Sequence, residues 1–70
     1  MTGYKAVALH RTVIVNTTNG RSFRGALLSA KRDIITLGNA ELLEPGQGSV
    51  PVPGIVVIER AQIDFVQVTG

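Results

Sequence analysis

The sequence has no cysteine, no tryptophan, a single histidine (His10), and only one tyrosine and two phenylalanines. Without thiols, neither a disulfide framework nor a thiolate metal site can brace the chain. His10 has no cysteine to pair with, and no serine stands in a Gly-x-Ser-x-Gly turn, so nucleophilic catalysis lacks its residues. Acidic groups are also few: Asp33, Glu41, Glu44, Glu59 and Asp64 are scattered without metal-ligand spacing and read as solvated charges that blunt sheet edges. Gly46-Gln47-Gly48 lacks the Lys-Ser/Thr pair and the following helix of a phosphate loop. The expectation is a protein that is not an enzyme and uses no cofactor or metal.

Charge of either sign is sparse. Charged residues make up 17% of the chain, and seven Lys/Arg against five Asp/Glu leave a net charge of +2. That balance permits contact with nucleic acid without the dense basic stripe of a dedicated binder. No apolar run approaches the roughly 20 residues of a membrane span, and the N-terminus lacks the charged, apolar and cleavage regions of a signal peptide. The reading is a soluble protein without a membrane partner, in a reducing compartment such as a bacterial cytoplasm.

Seventy residues allow one domain with a modest core. Domains this small are often braced by disulfides, metal or oligomerisation, and here the last remains. Hydrophobic residues reach 44%, more than a small monomer hides inside itself, so part of that surface is expected to meet another copy of the chain.

What is present is a series of strand signals. Thr12 to Thr17, TVIVNT, is β-branched and runs into Asn19-Gly20, a dipeptide that accepts the positive φ angles of a tight hairpin turn. Arg21 to Ala30 returns as a second strand with Phe23, Leu27 and Ser29 on one face, and Gly25 marks a bend. Lys31-Arg32-Asp33 is a polar reversal. A third strand starts at Ile34 and extends to Leu43 with a weak point at Gly38-Asn39. Glu44 to Gly54 holds all three prolines and reads as a loop. Ile55 to Glu59 is a fourth strand, unbrokenly apolar over Ile55 to Ile58, and Ile63 to Val68 a fifth, with Arg60-Ala61 between them. Tyr4 to Arg11 fits either a helical turn or an extended lead-in, so residues 1–11 are set apart from a single domain over 12–70. The fold class is all-β, a strongly bent five-stranded antiparallel open barrel.

The run Val13-x-Val15-x-x-x-Asn19-Gly20-Arg21-x-Phe23-x-Gly25-x-Leu27 resembles the first motif of the Sm-like family, and Ile58-Glu59-Arg60-Ala61-Gln62-Ile63-Asp64-Phe65-Val66 resembles a weakened second motif. Small SH3-like barrels share much of this pattern. The family's RNA pocket uses an Asp followed four residues later by Asn, and a basic turn before the last strand. Here the residue four after Asp33 is Leu37, and Arg60 is followed by Ala61, so base-edge recognition is incomplete. The segments Arg32 to Leu37 and Val57 to Val68 are also similar to small Sm-like proteins of tailed phages of actinobacteria.

The resemblance implies a ring in which the fourth strand of one subunit pairs with the fifth of the next, through Ile55, Val56, Val57, Ile58, Ile63, Phe65, Val66 and Val68. It places Lys31, Arg32, Asp33 and Arg60 where nucleic acid would touch the ring. Arg21 and Arg24 flank Phe23 as a second basic cluster, but alternation turns Phe23 inward, away from stacking. Two functions stand side by side. One is a structural or assembly module, a symmetric homo-oligomeric adaptor of phage type whose partners include other virion proteins, located in the host cytoplasm or the virion. The other is a single-stranded RNA-binding ring with weak affinity.

Overall fold

In a computed structural model, residues 8–70 are described. Six antiparallel strands form one sheet: β1 (Thr12–Thr17), β2 (Ser22–Ala30), β3 (Ile34–Glu44), β4 (Gly48–Val52), β5 (Val56–Glu59) and β6 (Ile63–Val68). Their order is β4-β3-β2-β1-β6, and β5 pairs with the other end of β3. No pairing joins β5 to β6, so the barrel stays open along a seam between them.

The β1–β2 turn follows from its residues, with one difference from expectation. Gly20 N–H donates to Thr17 O at 3.1 Å and Thr17 N–H to Arg21 O at 2.8 Å, which encloses three loop residues. Gly20 alone takes a positive φ, +88°, while Asn19 does not. This is a type I turn followed by a left-handed glycine, the three-residue hairpin.

Bending comes from two places where β2 and β3 slip in register. The first lies between Arg24 and Ala26, around Gly25. A Cβ on Gly25 would stand 2.9 Å from Gly38 O and 3.2 Å from Ala40 Cα, so the strands approach more closely than any side chain permits. Opposite it, Asn39 takes φ 50°, a left-handed value that kinks β3 at the weak point read from Gly38-Asn39. The second slip lies between Leu27 and Ser29. Leu28 is the extra residue, so the parity of the strand changes after it. Ala30 therefore faces the core, and Ser29, expected on the Leu27 face, exchanges a hydrogen bond with Thr36 at 2.7 Å.

The segment read as a loop over residues 44–54 is half strand. Gly48 to Val52 pairs with Glu44 to Ala40 of β3. Pro51 is tolerated because β4 is an edge strand, where a missing N–H leaves no neighbour unsatisfied. Ile55 precedes β5, and Arg60–Gln62 forms a 3-10 turn between β5 and β6. Of the lead-in, residues 1–7 lie outside the described part. Ala8 is fully buried, and Arg11 N–H donates to Ala8 O at 2.9 Å.

The core is the inner face of this bent sheet: Ala8, Val13, Val15, Leu27, Ala30, Ile35, Leu37, Ala40 and Ile58. Burying each of its larger side chains contributes about 1.5–3 kcal/mol. No polar side chain is buried among the described residues.

On the outer face, Arg24 Nη2 bonds Glu41 Oε1 at 2.8 Å across β2 and β3. Hydrogen bonds from Ser49 and then Arg24 hold the Glu41 carboxyl below its ordinary value of 4.5. Because the folded-state value is lowered, this carboxylate's stabilisation is present above the unfolded-state value and is lost as pH falls through the folded one. Thermal unfolding of wild type and Glu41→Gln is therefore expected to differ at neutral pH and to converge below pH 4.5. A difference that stays constant on acidification would contradict this.

Candidate nucleic-acid interface and subunit edges

Three turns meet at one pole of the barrel. Lys31-Arg32-Asp33 is exposed and closed by the Lys31 N–H bond to Ile34 O at 2.8 Å. Arg60 N–H donates to Asp33 O at 2.8 Å, which seats the start of the 3-10 turn on the β2–β3 turn. At the end of the same 3-10 turn, Gln62 O accepts from Thr18 N–H at 2.9 Å, which brings in the β1–β2 turn. Asp33 and Arg60 thus adjoin through the backbone, with Lys31 and Arg32 exposed beside them.

Arg21 and Lys31-Arg32 flank the two opposite ends of β2. The bend at Gly25 and the bridging 3-10 turn nonetheless join their two turns. Arg24 leaves this group, being engaged with Glu41 on the outer face. Leu37, four residues after Asp33, is fully buried in the core. It presents no polar group to a base.

Beside the pole, Thr17, Asn19, Arg21, Phe23, Val56, Val57, Ile58 and Gln62 line a cleft of about 150 Å³. Phe23 is half-buried and packs on the core, as alternation predicts, yet borders this cleft. Nothing in the local sequence signals the cleft, because Phe23 and Val56 are brought together only by closure of the bent sheet.

The eight residues read as edges divide by burial. Ile58 is 6% exposed and belongs to the core, while Val56, Ile63 and Val66 are partly buried against it. Ile55, Val57, Phe65 and Val68 are exposed, at 64%, 58%, 52% and 37%. β5 pairs only with β3, and β6 only with β1. Each therefore keeps one unpaired edge, and each edge carries exposed apolar side chains. Leu28, at the bulge, and Val50, on β4, are further exposed apolar residues that strand alternation did not single out.

Among the described residues no group of three or more His, Cys, Asp or Glu could hold a metal ion. His10 is exposed with φ 66°.

Neither a family model nor a curated protein matches the sequence. Solved structures do match. A heptameric archaeal Sm protein superimposes with a TM-score of 0.82 at 20% identity, covering 93% of this chain and 94% of that one. The fold is Sm-like. An Sm protein of Pyrococcus abyssii, solved in complex with a uridine heptamer, gives a TM-score of 0.80 at 25% identity over 91% of this chain and 90% of that one. A chain of the NatC complex bound to CoA gives 0.77 at 22% identity, over 91% of this chain and 82% of that chain. The Sm-like plan thus extends across nearly the whole chain, with β5 and β6 each leaving one edge unpaired. None of these three structures is named as a phage protein.

Proposed function

We propose that the chain is a non-enzymatic Sm-like module that closes into a cyclic homo-oligomer by pairing β5 of one copy with β6 of the next. The observation that carries this reading is the pair of unpaired edges with exposed Ile55 and Val57 on one side and Phe65 and Val68 on the other. Neither edge strand contains a proline or a run of lysines that would discourage pairing. Two different edges on one subunit make a head-to-tail contact, which forms a ring if the rotation closes. The likeness to a heptameric archaeal Sm protein supports closure.

The ring's work is that of a symmetric adaptor within a larger assembly, with a virion as the setting suggested by the sequence. A second reading, single-stranded RNA binding, is supported by the basic pole around Asp33 and Arg60 and by the Pyrococcus Sm protein in complex with a uridine heptamer. In that reading Lys31, Arg32 and Arg60 meet phosphates, while Leu37 and Ala61 offer no base-edge hydrogen bonds.

Light scattering is expected to give a defined oligomer at micromolar concentration; a stable monomer removes the ring. Fluorescence titration with uridine- and adenosine-rich oligomers at two salt concentrations is expected to give weak binding, indifferent to base and falling steeply with salt. Base-selective binding that persists at physiological salt and is lost in Arg60→Ala would make RNA recognition the primary function.

A further inference from the structure

The β1–β2 turn carries chemistry that neither the ring nor the RNA reading uses. Among the described residues three asparagines occur. Asn16 lies within β1, bonded to Gln67 and Ser22, and is followed by Thr17. Asn39 sits at the β3 kink and is followed by buried Ala40. Only Asn19 is followed by glycine, and both residues are exposed at a turn tip. The position of a Cβ on Gly20 has no atom within 4 Å, so no neighbouring group obstructs rearrangement of this peptide.

We infer that Asn19-Gly20 is a site of spontaneous deamidation, held back by the hydrogen bonds of its own turn. The Gly20 backbone nitrogen gives up its proton to solvent base and attacks Asn19 Cγ. The C–N bond to Nδ2 breaks, and that nitrogen takes up a proton and leaves as ammonia, closing a five-membered cyclic imide. Water then opens either imide carbonyl, giving aspartate or isoaspartate at position 19. No electrons change hands.

Glycine favours the attack because no side chain obstructs its nitrogen or the ring it joins. Three features of the turn oppose it. Gly20 N–H is tied to Thr17 O at 3.1 Å, so the nucleophile's proton is engaged. Asn19 Oδ1 accepts from the Thr17 hydroxyl and from Arg21 N–H at 3.4 Å, which fixes the side chain that must rotate. The residue at this place of a type I turn has ψ near about 0°, away from a geometry that brings the next nitrogen onto its own Cγ. Reaction therefore requires local opening of the turn, a fluctuation less costly than global unfolding at a loop tip.

The product would not fit the turn that made it. Isoaspartate routes the backbone through one additional carbon, which breaks the match between Thr17 N–H and Arg21 O that closes the three-residue loop. Either product adds a carboxylate beside Arg21 and removes one unit from the net charge of +2. Because the turn is tied to the 3-10 turn through Thr18 and Gln62, the change occurs on the pole that carries Arg60.

The test is to incubate the folded 70-residue chain in mildly alkaline buffer, beside a sample kept unfolded in urea, and to map mass changes by peptide. The native chain is expected to gain about one mass unit at residue 19, with isoaspartate detected by enzymatic methyl transfer, several-fold more slowly than the unfolded sample. Asn16 and Asn39 should lag behind. Thr17→Val, which removes the hydroxyl holding Asn19, should speed native conversion several-fold, and Thr17→Ser, which keeps it, should not; circular dichroism checks that both fold. A native chain unmodified while the unfolded one converts fully, or conversion in Thr17→Val no faster than in wild type, overturns the inference.

Discussion

Placing valine at position 25 is expected to abolish cooperative folding of the isolated chain. The Cβ of any residue there would stand 2.9 Å from Gly38 O and within 3.3 Å of both Ala40 Cα and its Cβ. Two of those atoms are backbone of the strand that pairs with β2, so they cannot rotate away as a side chain would. Relief requires β2 and β3 to part at the bend, which withdraws Ala40 from the core. Overpacking by a single group costs about 1–3 kcal/mol, and a branched side chain at this spacing costs more. A small domain has only about 5–15 kcal/mol in total. Denaturant titrations should give a lowered midpoint for Gly25→Ala and no cooperative transition for Gly25→Val. Gly46→Ala, where a Cβ meets nothing, should lose only the cost of its positive φ of 77°. A wild-type midpoint for Gly25→Val would mean that the bend does not depend on glycine.

If the chain closes into the proposed ring, Val57→Lys is expected to convert it to monomers while leaving the subunit folded. Val57 is 58% exposed and lies on β5 opposite Thr36, so the lysine side chain reaches solvent in the isolated subunit. Substitutions at such positions generally change stability by less than about 0.5 kcal/mol. Against a neighbouring β6 the same ammonium would be stripped of water between apolar side chains with no carboxylate assigned to it, a cost of several kcal/mol. Each contact of a ring bears that cost, so closed assemblies should be lost together. Light scattering and circular dichroism on one sample separate the outcomes. An unchanged oligomer would remove β5 from the interface, and loss of the β-sheet spectrum would mean that Val57 supports the fold itself.

Much of this architecture can be read locally. The β-branched run before Asn19-Gly20, the glycine at 25 and the break at Gly38-Asn39 each act through the conformational range of one or two residues, and each lies where the sequence placed it. β4 did not declare itself, because Pro51 and its flanking glycines have the composition of a loop; an edge strand accepts them only since one side of its ladder is unused. The exchange of Ser29 for Ala30 on the inner face depends on a single extra residue, Leu28, which alternation alone cannot reveal. The meeting of the three turns is less legible still. It depends on pairings between distant parts of the chain, such as Thr18 with Gln62 and Asp33 with Arg60, and no local pattern encodes them.

β3 supports two different edge strands at its two ends, β5 against Ile34 to Leu37 and β4 against Ala40 to Glu44. The chain from Gly48 to Glu59 is in effect one strand folded over a corner at Pro53-Gly54, and only its second half reaches the pole. The β3–β4 hairpin is thereby an arm whose length is independent of the barrel: added residue pairs would extend it outward without moving β5, the 3-10 turn or β6. Its tip at Pro45-Gly46-Gln47, exposed throughout, is the natural place to graft a tag or a binding peptide onto this scaffold. Grafts there would project from every subunit of a ring at equal intervals, turning one insertion into a multivalent display.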